Sequence, residues 1–310
     1  MAKDIIIGID AGTSILKVVA FTLNGKEIAS SSINNIYKTA HGGQATQSLN
    51  TTWKNCIKII SELKNKINNF KDRVAIISVT GQGDGTWLID KKGKPVCDAW
   101  LWLDSRSSDI VKKLSKLNSE KFRFDLTGTG IFAGQQSSQI SYMDKNNPEI
   151  LDQSSTAFHC KDWIYFKLTN VRATDPSEAC FTFGNFRTRQ YDENVINGLG
   201  LSKRKNLLPD IIDGSKVTHP LSDNVATLIG LNSGTPIALG YIDAVCTFLG
   251  SGGLDINKDV GNSILGTTGG HMKATEISQI VPNSNLKSGY IMLLPIENLA
   301  LQFQTNMSGT

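Results

Sequence analysis

Three short β-type runs in immediate succession, before any helix, constrain this chain more than any other feature. Ile5 to Ile9 is apolar and Ile15 to Leu23 is apolar again. Asn24-Gly25 is then a strong hairpin signal leading into a third run from Lys26 to about Ser30. From Thr51 to Phe70, Cys56, Ile60, Leu63 and Ile67 recur at helical spacing, with Lys and Asn on the other side. Val74 to Val79 returns to a buried strand, which Gly81 to Gly85 breaks and Thr86 to Ile89 resumes. Strand, strand, strand, helix, strand is not the alternation of a doubly wound sheet. It is the order of a ribonuclease-H-like α/β half. Further on, the pattern predicts an amphipathic helix over Phe158 to Leu168, a buried strand over Pro236 to Gly240 and a helix over Asp243 to Leu249. Asn262 to Leu265 then leads into a second Gly-rich turn.

With 310 residues, 40% hydrophobic and 19% charged, the chain is large enough for one large domain or two ordinary ones around a substantial core. Thirty-two basic residues against 28 acidic ones leave a formal charge of only +4. The short clusters Lys91-Lys92 and Lys203-Arg204-Lys205 read as solvated loops, so no nucleic-acid partner is expected. Five cysteines (Cys56, Cys97, Cys160, Cys180, Cys246) fall in no metal-ligand spacing, which predicts reduced thiols rather than a disulfide frame. No signal-peptide layout follows Met1, and no apolar stretch approaches the roughly 20 residues of a membrane span. A soluble, cytoplasmic protein with no membrane partner is expected.

Three segments carry chemistry. Asp10-Ala11-Gly12-Thr13-Ser14, with Lys17 beyond, is a turn whose backbone N–H groups and hydroxyls can form an anion site, with Asp10 placed to hold Mg²⁺. An ordinary hairpin turn uses the same residue types. Gly266-Thr267-Thr268-Gly269 closes a second apolar strand more than 250 residues later, and two such turns are harder to dismiss than one. Together they resemble the paired phosphate loops of the actin–hexokinase–chaperone superfamily, while neither a P-loop nor a GxGxxG fingerprint is present. Asp243, in Leu239-Gly240-Tyr241-Ile242-Asp243-Ala244, sits at a strand-to-helix junction. Helix N–H groups there should hold it ionised and ready to accept a proton. On spacing alone the plain helix N-cap is the stronger reading.

In order along the chain, the segments resemble the FGGY carbohydrate kinases. Asp10 to Lys17 is similar to that family's DxGTxxxK opening, and Ser78-Val79-Thr80-Gly81-Gln82-Gly83 to its sugar-contacting loop. Trp102-Leu103-Asp104-Ser105-Arg106 resembles its W-x-D-x-R segment, Lys161 to Thr169 its KDYLxxxLTG helix, and Thr174 to Ala179 its TDxSxA stretch. Asp243 falls at its catalytic aspartate and Gly266 to Gly269 at its GTSG turn. The resemblance implies a ribonuclease-H-like, actin/hexokinase-type fold and an ATP- and Mg²⁺-dependent kinase. Asp243 would be the general base, and Gln82, Gly83, Asp84, Trp102, Asp104 and Arg106 the substrate contacts. Asp10, Gly12, Thr13, Ser14, Lys17, Gly266, Thr267, Thr268 and Gly269 would bind the nucleotide, with Asp10 near the metal.

Gly83-Asp84 stands where xylulose kinases carry Met-His, and the Arg-Glu pair of glycerol kinases is absent. The loop looks most like the erythritol- and L-xylulose-kinase side of the family, which implies a linear four- or five-carbon polyol or ketose. Family members are longer, and only 41 residues follow Gly269. The chain therefore reads as the N-terminal part: residues 1–250 a sugar-binding domain and 251–310 the start of a nucleotide-binding domain, with little turnover alone. The resemblance also admits a homodimer. Two rivals of other classes are a non-catalytic sugar-binding or regulatory module and a structural ATPase of the actin type. The Gly266 to Gly269 turn stands against the first, and Gln82-Gly83-Asp84 with Trp102-x-Asp104-x-Arg106 against the second.

Overall fold

The computed structural model describes residues 3–254, 260–265, 268–283 and 289–307. Strands β1 (Ile5–Ala11), β2 (Ile15–Thr22) and β3 (Glu27–Asn34) form the expected meander. In β1 the residues Ile5, Ile7, Ile9 and Ala11 are buried, in strict alternation with more open positions. Gly25, at φ +83°, closes the second hairpin, and its N–H bonds to Thr22 O.

Helix α1 (Leu49–Lys64) begins at Ser48, whose hydroxyl accepts the Thr51 N–H. It buries Leu49, Cys56, Ile59, Ile60 and Leu63. The helix stops short of Phe70, where the apolar period continued. Asn69 adopts a left-handed φ of +54°, and Phe70–Arg73 forms a separate turn of helix.

Strand β4 (Val74–Gly81) lies parallel to β1 on the side away from β2, and β5 (Pro236–Leu239) lies parallel to β4. With the edge pair His219–Pro220 the order is (219–220)-β5-β4-β1-β2-β3, the ribonuclease-H-like arrangement. Trp87–Ile89 does not resume β4. Asp84 and Gly85 both take positive φ, the chain leaves the sheet, and Trp87–Ile89 pairs with Thr156–Phe158 instead.

Three more helices flank the site: α2 (Gln136–Asn146), α3 (Cys160–Thr169) and α4 (Pro176–Thr182). A fourth, α5 (Asp243–Gly250), follows β5. Helix α3 departs from its predicted amphipathic character, since only Phe166 and Lys167 are even partly open. It tolerates full burial because its charged residues find partners inside. Lys161 Nζ lies 2.7 Å from Asp162 Oδ1 and 2.6 Å from Asp175 Oδ1, and all three side chains are sealed from solvent. Burial alone would raise the Asp162 pKa, but Lys161 and then His159 outweigh it and hold this carboxyl well below the usual range.

A second, antiparallel sheet is formed by β6 (Asn262–Leu265), β7 (Thr268–Glu276), β8 (Tyr290–Leu293) and β9 (Leu299–Met307), in the order β6-β7-β9-β8. Met272, Met292, Leu294 and Leu301 pack on Phe181, Tyr241, Ile242, Val245 and Phe248. All five cysteines are free thiols. Among the described residues no helix is long and apolar enough to cross a membrane.

Replacing Lys161 by Met strands two buried carboxylates, so the variant is expected to lose about 3–5 kcal/mol of stability in urea titration. Asp162 has a folded pKa below its unfolded one. Its contribution is therefore fully present above about pH 4 and fades as pH falls through the lower, folded value.

Candidate active site

Because β1, β4 and β5 are parallel, their carboxyl ends share one edge of the sheet, the edge at which open α/β sheets gather ligands. That edge holds the Asp10–Ser14 turn, the loop after Gly81 and the junction leading to Asp243. The junction is fixed from three sides. Gly240 N–H donates to Val79 O at 2.7 Å, an approach so close that a Cβ there would sit 2.6 Å from the same oxygen. Thr80 Oγ1 donates to Tyr241 O (2.6 Å), and Ile242 N–H donates to Ser177 Oγ (3.0 Å). Asp175 caps α4, its Oδ2 accepting the Ser177 N–H (2.8 Å) and hydroxyl (2.5 Å).

Asp243 is the first residue of α5, and its Oδ1 accepts the Ala244 N–H at 2.7 Å. Contrary to the expectation that helix N–H groups hold it ionised, its pKa is pushed up to about 7. Burial is the largest cause and the like charge of Asp10 the next; one N–H bond does not offset them. Asp10 reaches the surface opposite Lys17 in the hairpin, and partial burial still raises its pKa against the pull of that lysine.

The Gly12–Ser14 turn is anchored by Asn35, whose Nδ2 donates to Gly12 O (2.9 Å) and whose N–H donates to Ser14 O (2.8 Å). Ser14 is exposed. Thr13 is committed elsewhere: its hydroxyl donates to Gln82 Oε1 (2.9 Å) and accepts from Trp102 Nε1 (3.0 Å). Gln82 Nε2 in turn donates to Gln47 Oε1 (2.9 Å). Thr13 thus couples the turn to the expected substrate loop. Gly266, Thr267 and the side chain of Thr268 lie outside the described residues; Gly269 pairs with Leu265 and Asn306 inside the second sheet.

The expected substrate residues divide into two kinds. Asp104 is buried and saturated. Its Oδ2 accepts the Ala45 N–H (2.9 Å) and Arg106 Nη2 (2.6 Å), and its Oδ1 accepts the Arg106 N–H and Nε (3.1 and 3.0 Å). The Arg106 guanidinium lies 3.2 Å from the Trp100 ring centre. These two residues brace the loop that carries Trp102, which remains 45% exposed.

Asp84 is the opposite case. It is buried at φ +53°, and its Oδ1 has no hydrogen-bond partner. Burial pushes its pKa up to about 8; the Gln136 amide and the Thr182 hydroxyl offset part of this, and Asp243 adds to it. Gly83 lies between Asp84 and the junction, where a Cβ would fall 1.9 Å from Ile242 Cδ1.

Sequence reasoning missed what stands behind Asp84. Its N–H donates to Glu178 Oε2 (3.2 Å), which lies 3.6 Å from His159 Nε2. His159 Nδ1 is 3.0 Å from Asp162 Oδ2. Burial opposes protonation of His159, but Glu178 and Asp162 outweigh it and raise its pKa. Glu178 is driven up to about 8, mainly by burial, with Asp84 adding to the effect against His159 and Lys161. Glu178 lay within the Thr174 to Ala179 segment. Only three-dimensional burial distinguishes it there from a surface glutamate.

Asp84 and Glu178 bind protons more tightly folded than unfolded, so stability falls as pH rises from about 4 to 8. A melting temperature lower by roughly 5 °C at pH 8 than at pH 5 is expected, with a flatter dependence in Glu178→Gln. Asp104→Ala, which leaves Arg106 and the Ala45 amide without their acceptor, is expected to cost about 3 kcal/mol in urea unfolding.

Residues 5–250 match the N-terminal domain model of the FGGY family of carbohydrate kinases. An erythritol kinase of Brucella abortus (strain 2308) is 51% identical over 307 residues, covering 99% of this chain and 59% of that protein. An L-xylulose/3-keto-L-gulonate kinase of Escherichia coli (strain K12) is 25% identical over 262 residues, covering 84% and 52%. Among solved structures, a ligand-bound xylulose kinase from Lactobacillus acidophilus superposes with a TM-score of 0.87 at 23% identity, over 98% of this chain and 59% of that one. A Plasmodium falciparum glycerol kinase with ADP gives 0.80 at 20%, over 98% and 61%. The chain thus spans between half and two thirds of the length of these relatives.

Proposed function

The chain belongs to the FGGY family of carbohydrate kinases, and we propose that it forms the sugar-binding part of an enzyme that phosphorylates a linear four- or five-carbon polyol. In this reading residues 1–250 bind the sugar, and the second sheet within residues 251–310 opens the nucleotide-binding part. The observation that carries the reading is the convergence of Asp243, Asp84 and the Asp10–Ser14 turn on one sheet edge, with Trp102 open beside them. The 51% identity to an erythritol kinase favours a four-carbon polyol among the open-chain substrates.

The chemistry follows from the site. A substrate hydroxyl attacks the γ-phosphorus of ATP, the bond to the bridging oxygen breaks, ADP leaves and the hydroxyl proton passes to Asp243. A base with a pKa near 7 combines adequate ionisation with a useful driving force at neutral pH. Positioning does most of the rest. Trp102 offers its face to C–H groups, Asp84 and Gln82 face the hydroxyls, and Gly12 and Ser14 line the phosphate side. Among the described residues no three potential ligands gather around a metal position. Magnesium, which is commonly held by one or two carboxylates plus substrate phosphates, fits Asp10 in that manner. When bound it would neutralise phosphate charge, and the mutual repulsion of Asp10 and Asp243 is what such a cation relieves.

Joined to the C-terminal portion of the Brucella erythritol kinase, the chain is expected to phosphorylate erythritol with ATP. Asp243→Asn should lower kcat at least about 10³-fold while erythritol affinity stays within about threefold. Erythritol binding without turnover would favour the sugar-binding module, and turnover of glycerol or a hexose alone would refute the substrate class.

A further inference from the structure

The family resemblance implies that Thr13 faces a nucleotide, yet its hydroxyl is spent on the sugar side. An indole N–H can only donate, so in the 3.0 Å contact with Trp102 Nε1 the Thr13 oxygen is the acceptor. Its one hydrogen then goes to Gln82 Oε1, at 2.9 Å. The other end of the same set of contacts dictates the same direction. Gln47 Nε2 faces the carbonyl oxygens of Thr13 (3.3 Å) and Ile36 (3.5 Å), which can only accept. Gln47 Oε1 must therefore face Gln82 and accept from its Nε2 at 2.9 Å, which turns Gln82 Oε1 toward Thr13. A donor-only group at one end and acceptor-only groups at the other leave both amides and the hydroxyl a single orientation.

This circuit is rigid where it is anchored. Gln47 and Gln82 are buried, so water does not compete for their amides. The short strand Gln44–Gln47 pairs with Ala99–Trp100, immediately before the loop that carries Trp102. The Trp102 main chain is also fixed, since a Cβ on Gly134 would lie 1.7 Å from Trp102 O. Its side chain is exposed, and the bond from Nε1 to Thr13 is what sets the plane in which the ring stands. With its only hydrogen on Gln82, the Thr13 hydroxyl cannot donate to a phosphate without breaking this circuit.

We propose that Thr13 is a positioning residue for the sugar rather than a nucleotide contact: its hydroxyl, oriented by Gln82 and Gln47, holds the Trp102 ring at the angle at which it meets substrate C–H groups. The proposal rests on Trp102 lining the sugar site, as set out above. It has a consequence that a nucleotide contact does not share. Loss of the hydroxyl weakens sugar binding when no nucleotide is present, by the several-fold that one hydrogen bond is worth.

The test is calorimetric binding of erythritol to the 310-residue chain without nucleotide. Thr13→Val keeps the shape and removes the hydroxyl, and it is expected to weaken binding at least about fivefold. Thr13→Ser, which keeps the hydroxyl, should stay within about twofold of wild type. Unchanged affinity in Thr13→Val is what a nucleotide contact or a merely structural role gives, and it overturns the proposal. Trp102→Phe keeps a ring without the N–H, so in that background Thr13→Val should cost nothing further, within about twofold. A full additional loss there means that Thr13 does not act through Trp102, and it too overturns the proposal. If Thr13→Val does not fold, the smaller Thr13→Ala takes its place with the same outcomes. Should Trp102→Ala weaken binding while Thr13→Val does not, this proposal fails alone. Should Trp102→Ala leave affinity unmoved, or the wild-type chain bind no erythritol, the sugar-site reading fails together with it.

Discussion

A lysine ammonium without water must be neutralised by neighbours held in place by the fold, and Lys161 is where this structure meets that demand. Its two carboxylate partners come from different elements, Asp162 on α3 and Asp175 at the start of α4. Each partner then fixes something else. Asp175 caps α4 and orients Ser177, which receives the Ile242 N–H one residue before Asp243. Asp162 orients His159, which faces Glu178, which holds the amide of Asp84. One buried charge is thus linked to the backbone amide of Asp84 and to that of Ile242, beside Asp243, at the sheet edge. Such clusters contribute little net stability once desolvation is counted; their effect here is geometric.

Carboxylates in this molecule show how environment selects role. Asp104 is as buried as Asp84, but Arg106 and a backbone amide occupy both of its oxygens, and it braces a loop. Among the described residues no ion pair is made by Asp243 or Asp84. Burial therefore raises their affinity for protons and leaves hydrogen-bonding capacity unspent. On the proposed reading, that unspent capacity at the sheet edge is what meets the substrate hydroxyls.

Much of the scaffold was legible in the sequence. The meander, β4, β5 and the junction at Asp243 all follow from apolar runs and turn residues, because such signals are local. Errors arose where a distant partner decided the outcome. The apolar period past Lys64 reads as more helix, but a left-handed Asn69 interrupts it. Alternation at Phe158 to Leu168 suggests a solvated face, yet Lys161 and Asp162 neutralise each other inside. At the site, the sequence singles out residues but not their commitments. Thr13 is bound to Gln82 and Trp102, and Asp104 to Arg106. Glu178 and His159 carry no sequence signal separating them from surface residues, since their meaning comes only from what buries them.

A crystal structure of this chain with erythritol tests the central claim most directly, namely that the sheet edge bearing Asp84 and Asp243 is the sugar site. The account predicts the ligand against Trp102, with one hydroxyl within about 3 Å of an Asp243 oxygen and another within about 3 Å of an Asp84 carboxyl oxygen. Erythritol bound elsewhere, or seated at this edge without a contact to Asp84 or Asp243, would contradict it.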